Sequence, residues 1–308
     1  MKKFSRKGCR HVPIPPSLAG IARGYVRFVP GRLGKAWIVD SYLNRALRTN
    51  PVIRVATVGN GVRMMLDTRD IVQRYLYQFG VWEPSLTAWL TGVLRPGDVF
   101  VDVGANIGYF SLLAARIVGH TGSVVAIECS PAAGSELRGN LAANQVGNVR
   151  QVTSAVAASE CVLTFYEPKK GIHSVTTSVP AGDPVFQAAA KPLSALLTAA
   201  ELGAARVIKV DIEGGEYDAL SGLVPVLDRT RPDLAIVVEV NEAMLARQGR
   251  TVAATTGLLT DLGFHPYRLV NSYRPSSYLV PGRPPQRVRE PVTGQADLVF
   301  SRIDADTL

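Results

Sequence analysis

The chain has 308 residues, 47% of them apolar, which is enough for one sizeable core and makes a single α/β domain with appendages the natural expectation. Its net charge of +9 is segregated: residues 1–50 carry eleven Lys/Arg against Asp40 alone, which is +10 and leaves −1 for the remainder. The basic character therefore describes an N-terminal arm and not an active site.

No stretch approaches the ~20 apolar residues of a membrane span, and Pro13, Pro15 and Pro16 interrupt any secretory signal. The leader is Arg-rich and acid-poor, as in an organelle transit peptide, but thin in serine. Cys9, Cys129 and Cys161 are odd in number and far apart, fitting neither a disulfide framework nor a zinc knuckle, so a reducing cytoplasm is the expected location. The arm, residues 1–34, is read as a solvated leader. Peripheral contact with an anionic membrane surface, or with nucleic acid, is its functional alternative.

Residues 35–97 read as a cap. Lys35 to Arg48 has helical pattern, with Trp37, Ile38, Tyr42 and Leu47 on or near one side, and Val52–Val58 and Val62–Leu66 flank a Gly59-Asn60-Gly61 turn as a hairpin. Helices follow over Asp70–Tyr77 and Ser85–Leu94. From residue 98 to 303 strands and helices alternate, which predicts a mostly parallel sheet of seven strands with helices on both faces. Its strands are Val99–Val103, Ser123–Ile127, Val149–Val152, Arg206–Val210, Leu234–Val240, His265–Val270 and Ala296–Phe300. Helices are expected at Pro131–Asn144, Leu193–Ala199 and Thr251–Leu262, and a hairpin within Cys161–Val179. The long Pro/Arg-rich loop Asn271–Gln295 is expected to close over the carboxyl edge of the sheet, where ligands of such folds sit.

The stretch Val99–Phe110, VFVDVGANIGYF, is a buried strand, a carboxylate and a turn with Gly104 and Gly108, followed by a helical pattern. A P-loop needs Gly-Lys-Ser/Thr, but Gly108 precedes Tyr109 and Phe110. A dinucleotide fingerprint needs glycines where Asn106 and Tyr109 stand. Glu128 ends the next strand, where a carboxylate can accept hydrogen bonds from ribose hydroxyls.

Asp-x-Gly-x-Asn-x-Gly after a buried strand resembles the S-adenosylmethionine (SAM) loop of class I, Rossmann-like methyltransferases. With GVWEP, VDVGANIGYF, the Glu128 strand end and IKVDIEGGE following one another along the chain, residues 70 to 300 resemble FkbM-type SAM-dependent methyltransferases. The resemblance implies a class I methyltransferase fold, SAM as donor, and typically a hydroxyl acceptor on a sugar or natural product. Two positions depart from the family pattern: Leu193-Ser194 where Leu-Asp is usual, and Gly215 for a common Ala. Carried over, Asp102, Gly104, Asn106 and Gly108 would surround the methionine end, Glu128 the ribose, and Ser154 and Ala155 the adenine. Lys209, Asp211 and Glu213 would face the methyl group or acceptor.

An aliphatic hydroxyl needs a base within reach, or a metal, to lose its proton. Lys209 and Asp211 alternate onto one strand face and Glu213 follows, which suits that task. The other reading of Lys209 is a structural ion pair. His173 has the right unperturbed pKa for a base and is a further catalytic candidate. Glu83, after Trp82, and Cys129, beside Glu128, are placed at the border of the cofactor pocket, Cys129 as a small buried hydrophobe and not a nucleophile. A divalent ion such as magnesium on Asp211 and Glu213, with His173 or Glu239 nearby, is the disfavoured rival, because the Lys209 ammonium repels it. A nucleic-acid acceptor is disfavoured by the absence of the Asp/Asn/Ser-Pro-Pro-aromatic and Pro-Cys motifs. A nitrogen acceptor and a non-catalytic SAM-binding protein are the other readings.

Overall fold

The computed structural model describes residues 16–167, 176–180 and 182–308. At its centre is a sheet of eight strands in the order Gln286–Arg287, His265–Leu269, Gln295–Ser301, Ala235–Asn241, Ala205–Val210, Val99–Val103, Ser123–Ile127, Val149–Val152. The last five run parallel and the first three pair antiparallel. Seven strands are those expected; the eighth is a two-residue edge from the Pro/Arg loop, too short to show a period.

All five residues of Val99–Val103 are buried, because helices cover both faces of the strand. Phe100 packs into one apolar cluster with Leu112, Leu113 and Val124, and Val101 and Val103 into another with Ile208 and Ile236. The first cluster also takes Val58, Val62, Met64 and Leu66, so the hairpin Ile53–Val58/Val62–Asp67 shares the core of the sheet. Asn60 and Gly61 both take positive φ, which the tight turn between those strands requires.

Three expectations need correction. Of the hairpin placed within Cys161–Val179, the described residues show one antiparallel bridge, Tyr166 with Thr177; Cys161–Tyr166 pairs mainly with Pro184–Lys191, in a separate three-stranded sheet with Ala155–Val156. The strand Pro184–Lys191 has Val185-Phe186 near its start but then reads Ala188-Ala189-Ala190, a weak β signal over its second half. Leu193–Ala199 is a single turn, Leu193–Leu196, and the helix proper is Ala199–Ala204, started by a Thr198/Glu201 capping box. The arm is not free from residue 16 onward: Pro16–Phe28 is a helix, Val26 packs with Val39 and Leu43, and Arg23 Nε donates to the Tyr77 carbonyl at 2.7 Å. Lys35–Thr49 is helical as expected, with a π-turn at Val39–Leu43, but Trp37 points to solvent.

Candidate active site

The strand order reverses between Val99–Val103 and its neighbours, and a cleft opens there at the carboxyl ends of the strands. The backbone holds these ends together: Gly104 and Ala105 N–H both donate to the Ile127 carbonyl at 3.0 Å, and Asp211 N–H to Val103 at 3.1 Å. Gly104 has φ of +81°, and a Cβ there would overlap the carbonyl oxygen of Asp211. Only glycine lets the two strand ends approach so closely.

Glu128 is buried on the cleft wall. Its Oε2 accepts from Asn106 N–H at 2.8 Å and its Oε1 from Ser130 N–H at 2.7 Å. Burial raises its pKa, and the two amides act against that shift. Each oxygen keeps a further acceptor site, so the carboxylate can receive a pair of vicinal hydroxyls. Ser154 and Ala155 line the next part of the cleft, with the Ser154 hydroxyl bonded to the Ala155 carbonyl at 2.8 Å, and Cys129 lines it too. Burial, then the Glu128 charge, pushes the Cys129 thiol up to about 12, which disfavours the thiolate. Leu163 and Phe165 from the small sheet complete an apolar wall. Sequence reasoning missed them because that sheet was misplaced.

Gly104, Asn106, Glu128, Cys129, Ser154, Ala155, Asp211 and Glu213 thus share one cleft. Three residues assigned to the cofactor do not line it: Asp102, Gly108 and Glu83, the last of which belongs to an acidic row beyond Asp211. The Asp102 carboxylate turns into the protein, where its Oδ2 accepts from Ser111 Oγ at 2.6 Å and its Oδ1 lies 3.8 Å from Lys209 Nζ. Gly108, at φ +89°, leaves room for Leu137, which a Cβ would strike. Asp102 and Gly108 support the loop from behind. His173 lies outside the described residues.

Beyond Asp211 the cleft wall becomes acidic. Val238 pairs with Val210 in parallel register, so the next residues, Glu239 and Asp211, are neighbours; Glu239 in turn pairs directly with Asp297 across an antiparallel ladder. Like charges at such positions destabilise a sheet. Glu83 joins them, buried and accepting from Tyr273 Oη at 3.3 Å, in this acidic row and not along the Glu128 cleft. Burial first, then mutual repulsion, lifts Glu83 well above its ordinary range, Glu239 to about 11, Glu213 to about 8 and Asp297 to about 6, with Asn271 holding Asp297 at 2.9 Å. Trp82 and Tyr273 stack beside them, ring centroids 5.3 Å apart, so the loop after Leu269 does reach this edge. Among the described residues no three His, Cys, Asp or Glu side chains are grouped to hold a metal ion.

Lys209 is the cation next to this row. It is buried, 2.9 Å from Asp211 Oδ2 and 5.2 Å from the Phe110 ring centre. Burial opposes its charge, but Asp211, Asp102 and Glu83 outweigh that, holding the ammonium above the ordinary lysine range. Among the described non-glycine residues, five have positive φ; Glu83, Asn106 and Glu213 are three of them, and all three stand at this edge. Such strain persists where surrounding structure imposes it, and it gathers at working sites.

A strand order of this kind, with a glycine loop after the central strand and a carboxylate ending the next, defines a class I SAM-dependent methyltransferase. The methyltransferase FkbM domain matches residues 102–266, more than half of the chain, and the chain belongs to that family, with SAM as its donor. No curated protein matches it. Among solved structures it is similar to a precorrin-6y C5,15-methyltransferase from Geobacter metallireducens GS-15 (14% identity, 71% of this chain and 86% of that one, TM-score 0.40). It is also similar to P. horikoshii TYW2 in complex with MeSAdo (16%, 82% and 72%, 0.41). A third is Aeropyrum pernix fibrillarin with natively bound SAM (11%, 70% and 73%, 0.40).

Proposed function

We propose that the protein moves the methyl group of SAM to a hydroxyl oxygen of a small-molecule acceptor, a sugar or natural product. The carboxylate row Asp211, Glu239 and Asp297, adjoining the Glu128 cleft, carries this reading. The sulfonium of the donor supplies an electrophilic methyl group; the protein must align the acceptor and take up its proton. Glu128 binds the ribose hydroxyls, Ser154 and Ala155 leave space for the adenine ring, and Asn106 shapes the loop at the methionine end.

Asp211 lines the cleft beside Gly104 and is the proton acceptor in this reading. Glu213, lifted to about 8, is the half-buried carboxylate beside it that can hold a proton near neutral pH. Lys209 is a positioning residue. Its ammonium fixes the Asp211 carboxylate at 2.9 Å and, held above the ordinary lysine range, is no base. The stacked Trp82 and Tyr273 give the acceptor a flat apolar face. An amine acceptor is the second reading, favoured by one feature: the row gathers several carboxylates around the ammonium of Lys209.

Asp211→Asn tests the assignment. Turnover falls by roughly 10²-fold with SAM affinity retained, as when a general base is lost, and EDTA leaves wild-type turnover unchanged. Wild-type rates in Asp211→Asn, or activity lost to EDTA and restored by magnesium, refute the metal-free base. Mass spectrometry of the methylated product separates oxygen from nitrogen acceptors.

A further inference from the structure

The N-terminal helix Pro16–Phe28 has more apolar surface than the protein covers. Ala19, Ala22 and Val26 face Val39, Leu43 and Phe79. At 100° per residue, Leu18, Ile21, Tyr25 and Phe28 lie on the adjoining face. There Ile21 is 69% and Phe28 71% exposed. The turn after the helix extends this face. The Tyr25 hydroxyl donates to the Leu33 carbonyl at 2.7 Å, which places the turn beside the outer face, and Leu33 itself is 87% exposed. Trp37, one helical turn further on, is 70% exposed. Four large apolar side chains on a helix, its following turn and the start of the next helix exceed the scattered singles of an ordinary surface.

Charge selects what covers them. Arg32, Arg45 and Arg48 are exposed in the same segment, and Lys2, Lys3, Arg6, Lys7 and Arg10 precede it in sequence, with Asp40 the single acid of residues 1–50. A second copy in a symmetric contact would set +10 against +10. Nucleic acid would satisfy the arginines and leave Ile21 and Leu33 unmatched. An anionic bilayer offers both negative headgroups and an apolar layer a few ångströms deeper, and tryptophan favours that boundary. No helix among the described residues is long and apolar enough to cross a membrane, so the contact is peripheral.

We infer that residues 16–48 form a docking surface for an anionic lipid bilayer, with Ile21, Phe28, Leu33 and Trp37 inserted among the acyl chains and the arginines at the headgroups. The test uses the full chain with vesicles of phosphatidylcholine, alone or with about one third phosphatidylglycerol, at about 0.15 M salt. Flotation with the anionic vesicles only is expected. A Leu33→Ser/Trp37→Ser double variant should partition about tenfold or more weakly, since each substitution removes an inserted apolar group. Both positions are exposed, so the variant keeps its fold, which circular dichroism checks. The chain has three tryptophans, Trp37, Trp82 and Trp89, and the last two are at least partly buried. A blue shift of emission on vesicle addition should therefore vanish in Trp37→Phe. Absence of flotation, or undiminished binding by the double variant, overturns the inference. So does a concentration-dependent dimer, or retention of the chain on DNA, that the double variant alone abolishes.

Discussion

Glu128→Gln is the sharpest perturbation of the donor site. The native carboxylate spends one acceptor position of each oxygen on the Asn106 and Ser130 amides, at 2.8 and 2.7 Å, leaving one on each for ligand hydroxyls. The amide replaces one oxygen by a donor. One buried backbone N–H then faces an NH2 group, and one ligand hydroxyl loses a charged acceptor. Hydrogen bonds to charged groups contribute about 1.5–3 kcal/mol, so affinity for SAM should fall roughly ten- to a hundredfold. The demethylated product should weaken in parallel because it carries the same ribose. Calorimetry with both ligands reads this, and Glu128→Ala gives at least as large a loss. Equal affinities in a variant that unfolds at the wild-type temperature would show that Glu128 does not hold the ribose.

Lys209→Met leaves Asp102 and Asp211 facing each other without their shared cation; breaking a buried pair this way costs about 3–5 kcal/mol, and a denaturant-midpoint shift worth under about 1 kcal/mol would refute it. Glu213 and Glu216, raised from 4.5 to about 8 and about 7, bind protons more tightly folded than unfolded. Their contribution is present in full below about pH 4.5 and is lost as pH climbs through about 7 to 8. The ligand-free protein should therefore unfold at lower denaturant near pH 8.5 than near pH 5.5, and a midpoint that rises over this range contradicts those shifts. Deleting residues 1–34 strips Val26 and Ala22 from Val39 and Leu43 and should lower the melting temperature by several degrees; melting equal to that of the full chain would show that the helix adds no stability.

The strand, glycine turn and helix of Val99–Val118 were legible in the sequence because their constraints are local. A strand buried on both faces must be apolar throughout, the turn after it needs Gly104 for a close approach to Asp211, and Ser130 begins the next helix by capping Ala133 at 3.3 Å. Glu128, Ser154 and Asp211 follow from the same rule, since each stands at or just beyond the carboxyl end of a parallel strand. Roles that depend on side-chain direction were not legible. Asp102 looks like Glu128 in sequence, yet it turns inward to Ser111 and Lys209, and the α-carbon of Gly108 packs against Leu137.

The acidic row belongs to the tertiary structure alone. Glu83, Asp211, Glu239, Asp297 and Tyr273 come from distant parts of the chain, and antiparallel register is what sets Glu239 opposite Asp297. The N-terminal helix was hidden for a related reason. Positive charge dominates the composition of residues 1–50, while Arg23 and Arg27 turn back to carbonyl oxygens of the body, so a segment that reads as solvated is docked. Local sequence determined which backbone shapes and strand ends are available. Only long-range register and packing decided which side chains face the cleft, which face each other, and which apolar face of the first helix stays bare.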